Sequence, residues 1–341
     1  MDRKTVIHAS QTLGHKAACG IGIIGDLLAK ALAKSTKYNF RILYTDGLDS
    51  IESAITDDVV AIIYHHSVGS TPWVNNPHLR NKYPNIKHIK THHDMTQNLA
   101  SIGAPLAFST AYLKQIDTFT PEDHHGFNYV IADDPTLTGN EHVFTTQRII
   151  PSYVPKTSCT SEVPIIGFSG FAAPHKGIHR IAQKVQEEFD EAVINLHIPF
   201  GFYGDPHGTQ ARRAVQDVRR AIRKPGISVV ASHDLLSVPD VVDLLAQNTI
   251  NCYFYDFLAG CGLASSPDFA LAARRPIAVT KSHQFRHLWN LEPSILIEEN
   301  SLKEIIENGI TPLEPLYQAY TEENVVADYE RILDHLLSTT G

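Results

Sequence analysis

The chain has 341 residues, a mass of 37.8 kDa, a formal net charge of −8 and a pI near 6.2. With 43% hydrophobic and 19% charged residues it can build real cores, which excludes a disordered chain, and its length suits about two domains. The mild acidity argues against DNA or RNA as main partner, because those need a basic footprint, and no apolar run reaches the roughly 20 residues of a membrane span.

The N-terminus, MDRKTVIHASQ, lacks the apolar stretch of a secretory signal, so a cytoplasmic protein is expected. The pattern predicts a first strand at 5–9 and a helix over 20–34, with Ile24, Leu27, Leu28, Ala31 and Leu32 on one face. Apolar strands are expected at 40–44, 59–64, 86–91, 105–108 and 128–132. Such near-continuous apolar runs suit a parallel sheet covered on both faces. The stretch 149–158 carries Pro151, Pro155 and a polar tail, and reads as a link between domains.

A second series opens with a strand at 164–169 and a helix over 178–189 buried through Ile178, Ile181, Ala182, Val185 and Phe189. A strand at 192–198 precedes a helix over 211–223 with Ala211, Val215, Val218 and Ile222 inward. Its other side carries Arg212, Arg213, Arg219, Arg220 and Arg223 and reads as a solvated face. Strands at 227–231, 250–253 and 276–280, with helices over 238–245, 267–273 and 322–337, complete the pattern. The expected architecture is α/β, with two Rossmann-like domains facing a cleft. Residues 1–155 form the first and 156–320 the second, and a final helix in 321–341 packs back on the first. Ligands of such units bind beyond the carboxyl ends of the strands.

The four cysteines, Cys19, Cys159, Cys252 and Cys261, show no CxxC spacing and read as free thiols. Histidine occurs in the tandem pairs His65-His66, His92-His93 and His124-His125. Adjacent side chains on a strand point to opposite faces, so such a pair rarely serves one ion, and no metal site is expected. The pair Asp133-Asp134, just before Pro135, reads as a capped turn and not as a metal-holding acidic pair. The basic residues Arg80, Lys82, Lys87 and Lys90 read as a solvated loop.

Two stretches carry the chemistry. In 166–177 a strand runs into a loop with Gly170 and Lys176 and then a helix, an arrangement suited to a phosphate. In 255–276 a loop with Gly260, Gly262, Ser265 and Ser266 opens a helix near Pro267, a second anion site.

Together, the spacing from Gly170-Phe171 to Pro174-His175-Lys176-Gly177 and, about 90 residues later, Ala270-Leu271-Ala272 before Pro276 resemble the C-terminal domain of GT-B glycosyltransferases. The likeness is greatest to the family 4-like, retaining group. The resemblance implies that Gly170 and Lys176 contact a donor diphosphate, and that Gly262, Leu263, Ala264, Ser265 and Ser266 hold phosphate and sugar. The segment 10–22, with Gly14, Lys16 and Gly20, resembles the family's glycine-containing loop near donor and acceptor. Thr91-His92-His93-Asp94 resembles its Thr-x-His-Asp strand end, which sets His93 beside the reacting sugar. His65 and His66, ending another strand, face the same expected cleft.

Three departures stand out. Phe171 replaces a usual arginine, leaving Arg274, Arg286 or Lys16 to compensate. The family's paired glutamates are missing, their places falling at Cys261 and Phe269, and Asp268 is the candidate substitute carboxylate. Arg274 stands where glycine is common. The implied activity is transfer of a sugar from a nucleotide-diphosphate donor to a hydroxyl acceptor (a glycan, a lipid-linked sugar or another), with retention and without metal or other cofactor. The departures keep two alternatives in play, a non-catalytic nucleotide-sugar-binding or regulatory protein and a nucleotide-sugar epimerase. The donor base, the acceptor and the oligomeric state are left open.

Overall fold

The structure, a computed structural model, describes residues 3–11, 20–67, 69–98, 114–202, 204–258 and 261–338. The chain forms two α/β units, one of residues 1–149, 260–262 and 319–341, the other of residues 150–259 and 263–318.

The first unit begins with β1 (Thr5–Ser10), α1 (Gly20–Leu32), β2 (Asn39–Tyr44), α2 (Leu48–Ser53) and β3 (Val59–His65). It continues with α3 (His78–Lys82), β4 (Lys87–Thr91), the two-residue pair β5 (Met95–Thr96) and β6 (Lys114–Gln115), then β7 (Tyr129–Ala132) and β8 (Val143–Thr145). Its main sheet has the order β2-β1-β3-β4-β7-β8, and every pairing is parallel. The order reverses between β1 and β3, which makes their carboxyl ends the switch point where ligands of open α/β sheets bind. The register sets Ser10 beside Tyr44, and His65 beside Thr91.

The second unit runs β9 (Ile165–Ser169), α4 (His179–Glu188), β10 (Ala192–His197), α5 (Thr209–Ala221), β11 (Ile227–Ser232) and α6 (Val238–Ala246). Then come β12 (Ile250–Tyr253), α7 (Ser266–Ala272), β13 (Ile277–Val279), α8 (Leu302–Asn308) and α9 (Glu314–Ala319). The strand order β11-β10-β9-β12-β13 is again wholly parallel and reverses between β9 and β12. The Ser237 hydroxyl caps α6, and Ser301 with Glu304 forms a capping box on α8. Below β9 a buried amide chain joins strands to α6. Asn195 Nδ2 donates to Asn248 Oδ1 at 2.9 Å, Asn248 Nδ2 to Asn251 Oδ1 at 2.8 Å, and Asn251 Nδ2 to the Leu245 carbonyl at 3.2 Å.

The last helix, α10 (Glu322–Ser338), lies in the core of the first unit. Its Val325, Tyr329, Ile332 and Leu336 join Ile24, Leu28 and Leu32 of α1 over Ile63 and Ile89 of the sheet. The opposite sheet face carries Ile7, Ile62 and Tyr64 against Ile51, Leu79 and Phe127. Among the described residues no helix is long and apolar enough to cross a membrane.

Several sequence expectations change. The helix expected to reach 34 ends at Leu32, and the one expected over 211–223 runs from Thr209 to Ala221. The strand expected at 105–108 lies outside the described residues. Lys90 does not sit in a solvated loop. It lies inside β4 at 2% exposure, because strand alternation turns it onto a covered sheet face.

Candidate functional site

In the second unit, polar groups gather where β9 and β12 end. Gly170 follows β9 with φ +149°, a backbone region that side chains disfavour. A Cβ there would lie 3.0 Å from Ser266 Oγ and 3.2 Å from Lys176 Nζ, so a hydroxyl and an ammonium both converge on this bare stretch of backbone. Tyr255, just past β12, donates its hydroxyl to Ser266 Oγ at 3.3 Å, and its ring centroid lies 5.4 Å from Lys176 Nζ. Among the described residues no carboxylate pairs with Lys176. A lysine, two hydroxyls and exposed backbone at a switch point can take an anion.

The other sequence candidates of this region are placed as follows. Ser265 precedes α7, Leu263 and Ala264 lie in its loop, and the Ala264 N–H donates to the Gln284 carbonyl at 3.0 Å. Gly262 falls in the first unit, its N–H 3.3 Å from Asp94 Oδ1. Arg286 is buried, with Nη1 donating to the His283 carbonyl at 2.9 Å. Asp268 is fully buried in α7, where its charge adds to the burial that raises the Tyr253 phenol. Arg274 is one of the residues left to compensate for the arginine missing at 171. Its guanidinium lies 3.6 Å from the Tyr317 ring centroid, and its φ of +54° explains why glycine suits that position.

In the first unit the carboxyl ends of β3, β4 and β7 bring together His65, His93 and Asp133. His93 Nδ1 lies 3.0 Å from Asp133 Oδ1, and its Nε2 lies 3.3 Å from His65 Nε2. Arg148 Nη1 stands 3.3 Å from Asp133 Oδ2 and donates to the Asp133 carbonyl at 3.1 Å. His65 Nε2 is also 3.0 Å from the Ile21 carbonyl in the first turn of α1. That turn comes close because residue 25 is glycine. A Cβ there would sit 2.7 Å from both His65 Cδ2 and Ser10 Oγ.

A carbonyl only accepts, so His65 carries its proton on Nε2. The facing His93 Nε2 is then a lone pair, while His93 Nδ1–H donates to Asp133. In its neutral form this imidazole is backed by a carboxylate, the arrangement that lets a nitrogen accept a proton or a hydroxyl hydrogen. Burial pulls the His93 pKa down, but the charge and hydrogen bond of Asp133 prevail and raise it above the usual 6.5. Burial pushes Asp133 up, yet His93 and Arg148 hold it at about 2. Burial, with His93 and His8 beside it, drives His65 well below 6.5. His8 itself is pushed by burial to about 4.

Sequence reasoning missed Asp133. Asp134 does cap the expected turn, its Oδ1 accepting from the Thr136 N–H at 2.9 Å. Asp133 instead turns inward to His93, just as the tandem histidines divide between faces. The available signal was an acidic residue ending a parallel strand. Gly14 and Lys16 lie outside the described residues, and Gly20 is the first residue of α1. Among the described residues, no three His, Cys, Asp or Glu side chains are gathered to hold a metal ion.

Two parallel sheets with different switch points, each carrying polar groups at its carboxyl ends, define the class, and solved structures agree. No protein-family model and no curated protein matches the chain. A glycosyltransferase from Rickettsia africae superposes over 100% of both chains with a TM-score of 0.60 at 11% identity. Anabaena HepE, solved in complex with UDP-glucose, covers 98% of this chain and 99% of its own, with a TM-score of 0.57 at 12% identity. The trehalose-6-phosphate synthase OtsA covers 100% of both chains, with a TM-score of 0.61 at 9% identity. The chain has the GT-B glycosyltransferase fold.

Proposed function

We propose that the chain is a glycosyltransferase that moves a sugar from a nucleotide-diphosphate donor to a hydroxyl acceptor, with retention and without a metal. The observation that carries this reading is the convergence of Gly170, Lys176, Ser266 and Tyr255 at the β9–β12 switch point. The UDP-glucose complex of the HepE neighbour supports the donor class. In this reading the second unit binds the donor. Lys176 Nζ and the Ser266 hydroxyl stabilise the negative charge that grows on the leaving diphosphate. The first unit serves the acceptor and the sugar. His93 Nε2 takes a hydrogen bond from a sugar hydroxyl, and Asp133 and Arg148 keep the ring in that orientation.

The test is calorimetric titration of UDP into wild type and Lys176→Ala. Loss of a charge-assisted contact costs about 1.5–3 kcal/mol, or about a 10- to 150-fold weaker Kd. Unchanged UDP affinity in a folded Lys176→Ala protein removes the phosphate assignment.

A further inference from the structure

The sheet face opposite His93 carries a second group of basic side chains that the transfer chemistry above does not use. Lys90 and His92 alternate onto it from β4, and His66 joins them from the end of β3. The His66 and His92 rings lie 5.8 Å apart, as do those of His92 and His124. Lys90 Nζ donates to Asn75 Oδ1 at 2.9 Å, its only hydrogen-bond partner among the described residues. Arg80 reaches the same spot, with its guanidinium 3.9 Å from the Phe127 ring centroid and its Nη2 donating to the Asn75 carbonyl.

The charge balance here is one-sided. The positive field of Lys114 and Arg80 adds to burial in lowering Lys90 to about 7. Lys90 in turn adds to burial in lowering His66, His92 and His124. Among the described residues the one acid acting on the group is Asp123, beside His124, and it accepts from Thr120. Two hydrogen-bonding atoms stand idle: His66 Nε2 and His124 Nδ1 have no partner among the described residues, although the residues are only 4% and 1% exposed. Burying a cation without a counter-ion is costly, and a buried polar atom left unpaired adds to that cost. A multiply charged anion removes both costs at once, because it supplies the missing negative charge and acceptors for the idle nitrogens.

We infer that Lys90, His66 and His124, with Arg80 alongside, form a subsite for a phosphate monoester carried by the acceptor. This rests on the glycosyltransferase reading for the word acceptor, while the anion site stands on its own residues. Lys90 pairs with the phosphate oxygens, the two histidines donate to it, and the bare hydroxyl of an unphosphorylated sugar gains none of these contacts.

The experiment measures binding of inorganic phosphate, glucose and glucose 6-phosphate to the full chain by calorimetry, with UDP titrated separately. Glucose 6-phosphate is expected to bind at least tenfold more tightly than glucose and to compete with inorganic phosphate. Lys90→Met, which keeps the stem and removes the charge, is expected to abolish that preference and leave UDP affinity unchanged. His66→Gln combined with His124→Gln provides the same readout if Lys90→Met does not fold, with a smaller loss expected. Equal binding of glucose and glucose 6-phosphate overturns the subsite, as does a preference that survives in the folded variants. A wild type that discriminates by phosphate but binds no UDP upholds the subsite and sinks the glycosyltransferase reading instead.

Discussion

Replacing Asp133 by Asn keeps the shape of the side chain and deletes its charge. In wild type the Asp133 carboxyl is held at about 2 against an ordinary 3.8. Burial works against that value, and the His93 charge, the 3.0 Å hydrogen bond and Arg148 outweigh it. At about 1.36 kcal/mol for each tenfold, the ionised form is favoured in the fold by about 2 kcal/mol. The sign follows from the depressed value: this stability is present above the unfolded pKa and is lost as pH falls through about 2. At neutral pH it is fully present, so Asp133→Asn is expected to cost about 2 kcal/mol and to lower Tm by about 4–8 °C. The sharper readout is His93. With Asp133 gone, burial and the Arg148 charge act on it unopposed by that carboxylate, and its pKa falls from above 6.5 to below it. Nitrogen-resolved NMR titration of the imidazoles, assigned with His93→Gln, measures this directly. A His93 that still titrates above 6.5 in Asp133→Asn refutes the pairing as the cause.

Three further outcomes are expected. His93→Ala lowers turnover at least tenfold and leaves UDP affinity within twofold, as steady-state kinetics beside calorimetry will show. Gly170→Ala forces a Cβ to 3.0 Å from Ser266 Oγ at an unfavourable φ, costing about 1–3 kcal/mol in thermal unfolding and weakening UDP binding. Asn248→Ala strands Asn195 Nδ2 and Asn251 Oδ1 below β9, and urea unfolding is expected to show a loss of about 2–4 kcal/mol with the m-value unchanged.

The parallel sheets are legible in the sequence because their central strands are buried on both faces. The run Val59–His65 is apolar up to its last residue, and every residue of Ile250–Tyr253 is buried. The four-residue spacing of α1, α4 and α10 is equally plain. Short elements were not legible: α2, α3 and α9 have too few turns to show a period, and β8 has only three residues. On the site, the loop at Gly170 and Lys176 announces itself through glycine and charge. Asp133 does not, since its role depends on β7 lying beside β4, and pairing between strands distant in sequence leaves no local mark. Lys90 misled for a related reason. Among Arg80, Lys82 and Lys87 it looks like one more surface cation, and only the alternation of β4 shows it to be interior.

That alternation bears on how such a chain can vary over generations. β4 and the residues after it deal Lys90 and His92 to one side of the sheet and Thr91 and His93 to the other. Loss or gain of a single codon between 87 and 93 would exchange the two sides. Asp133 would then face the wrong partner, and the ammonium of Lys90 would be driven against α1. A change of two codons preserves the sides. Drift at this strand is therefore constrained in steps of two, and the duplicated histidines, which look interchangeable in print, are each bound to their own parity.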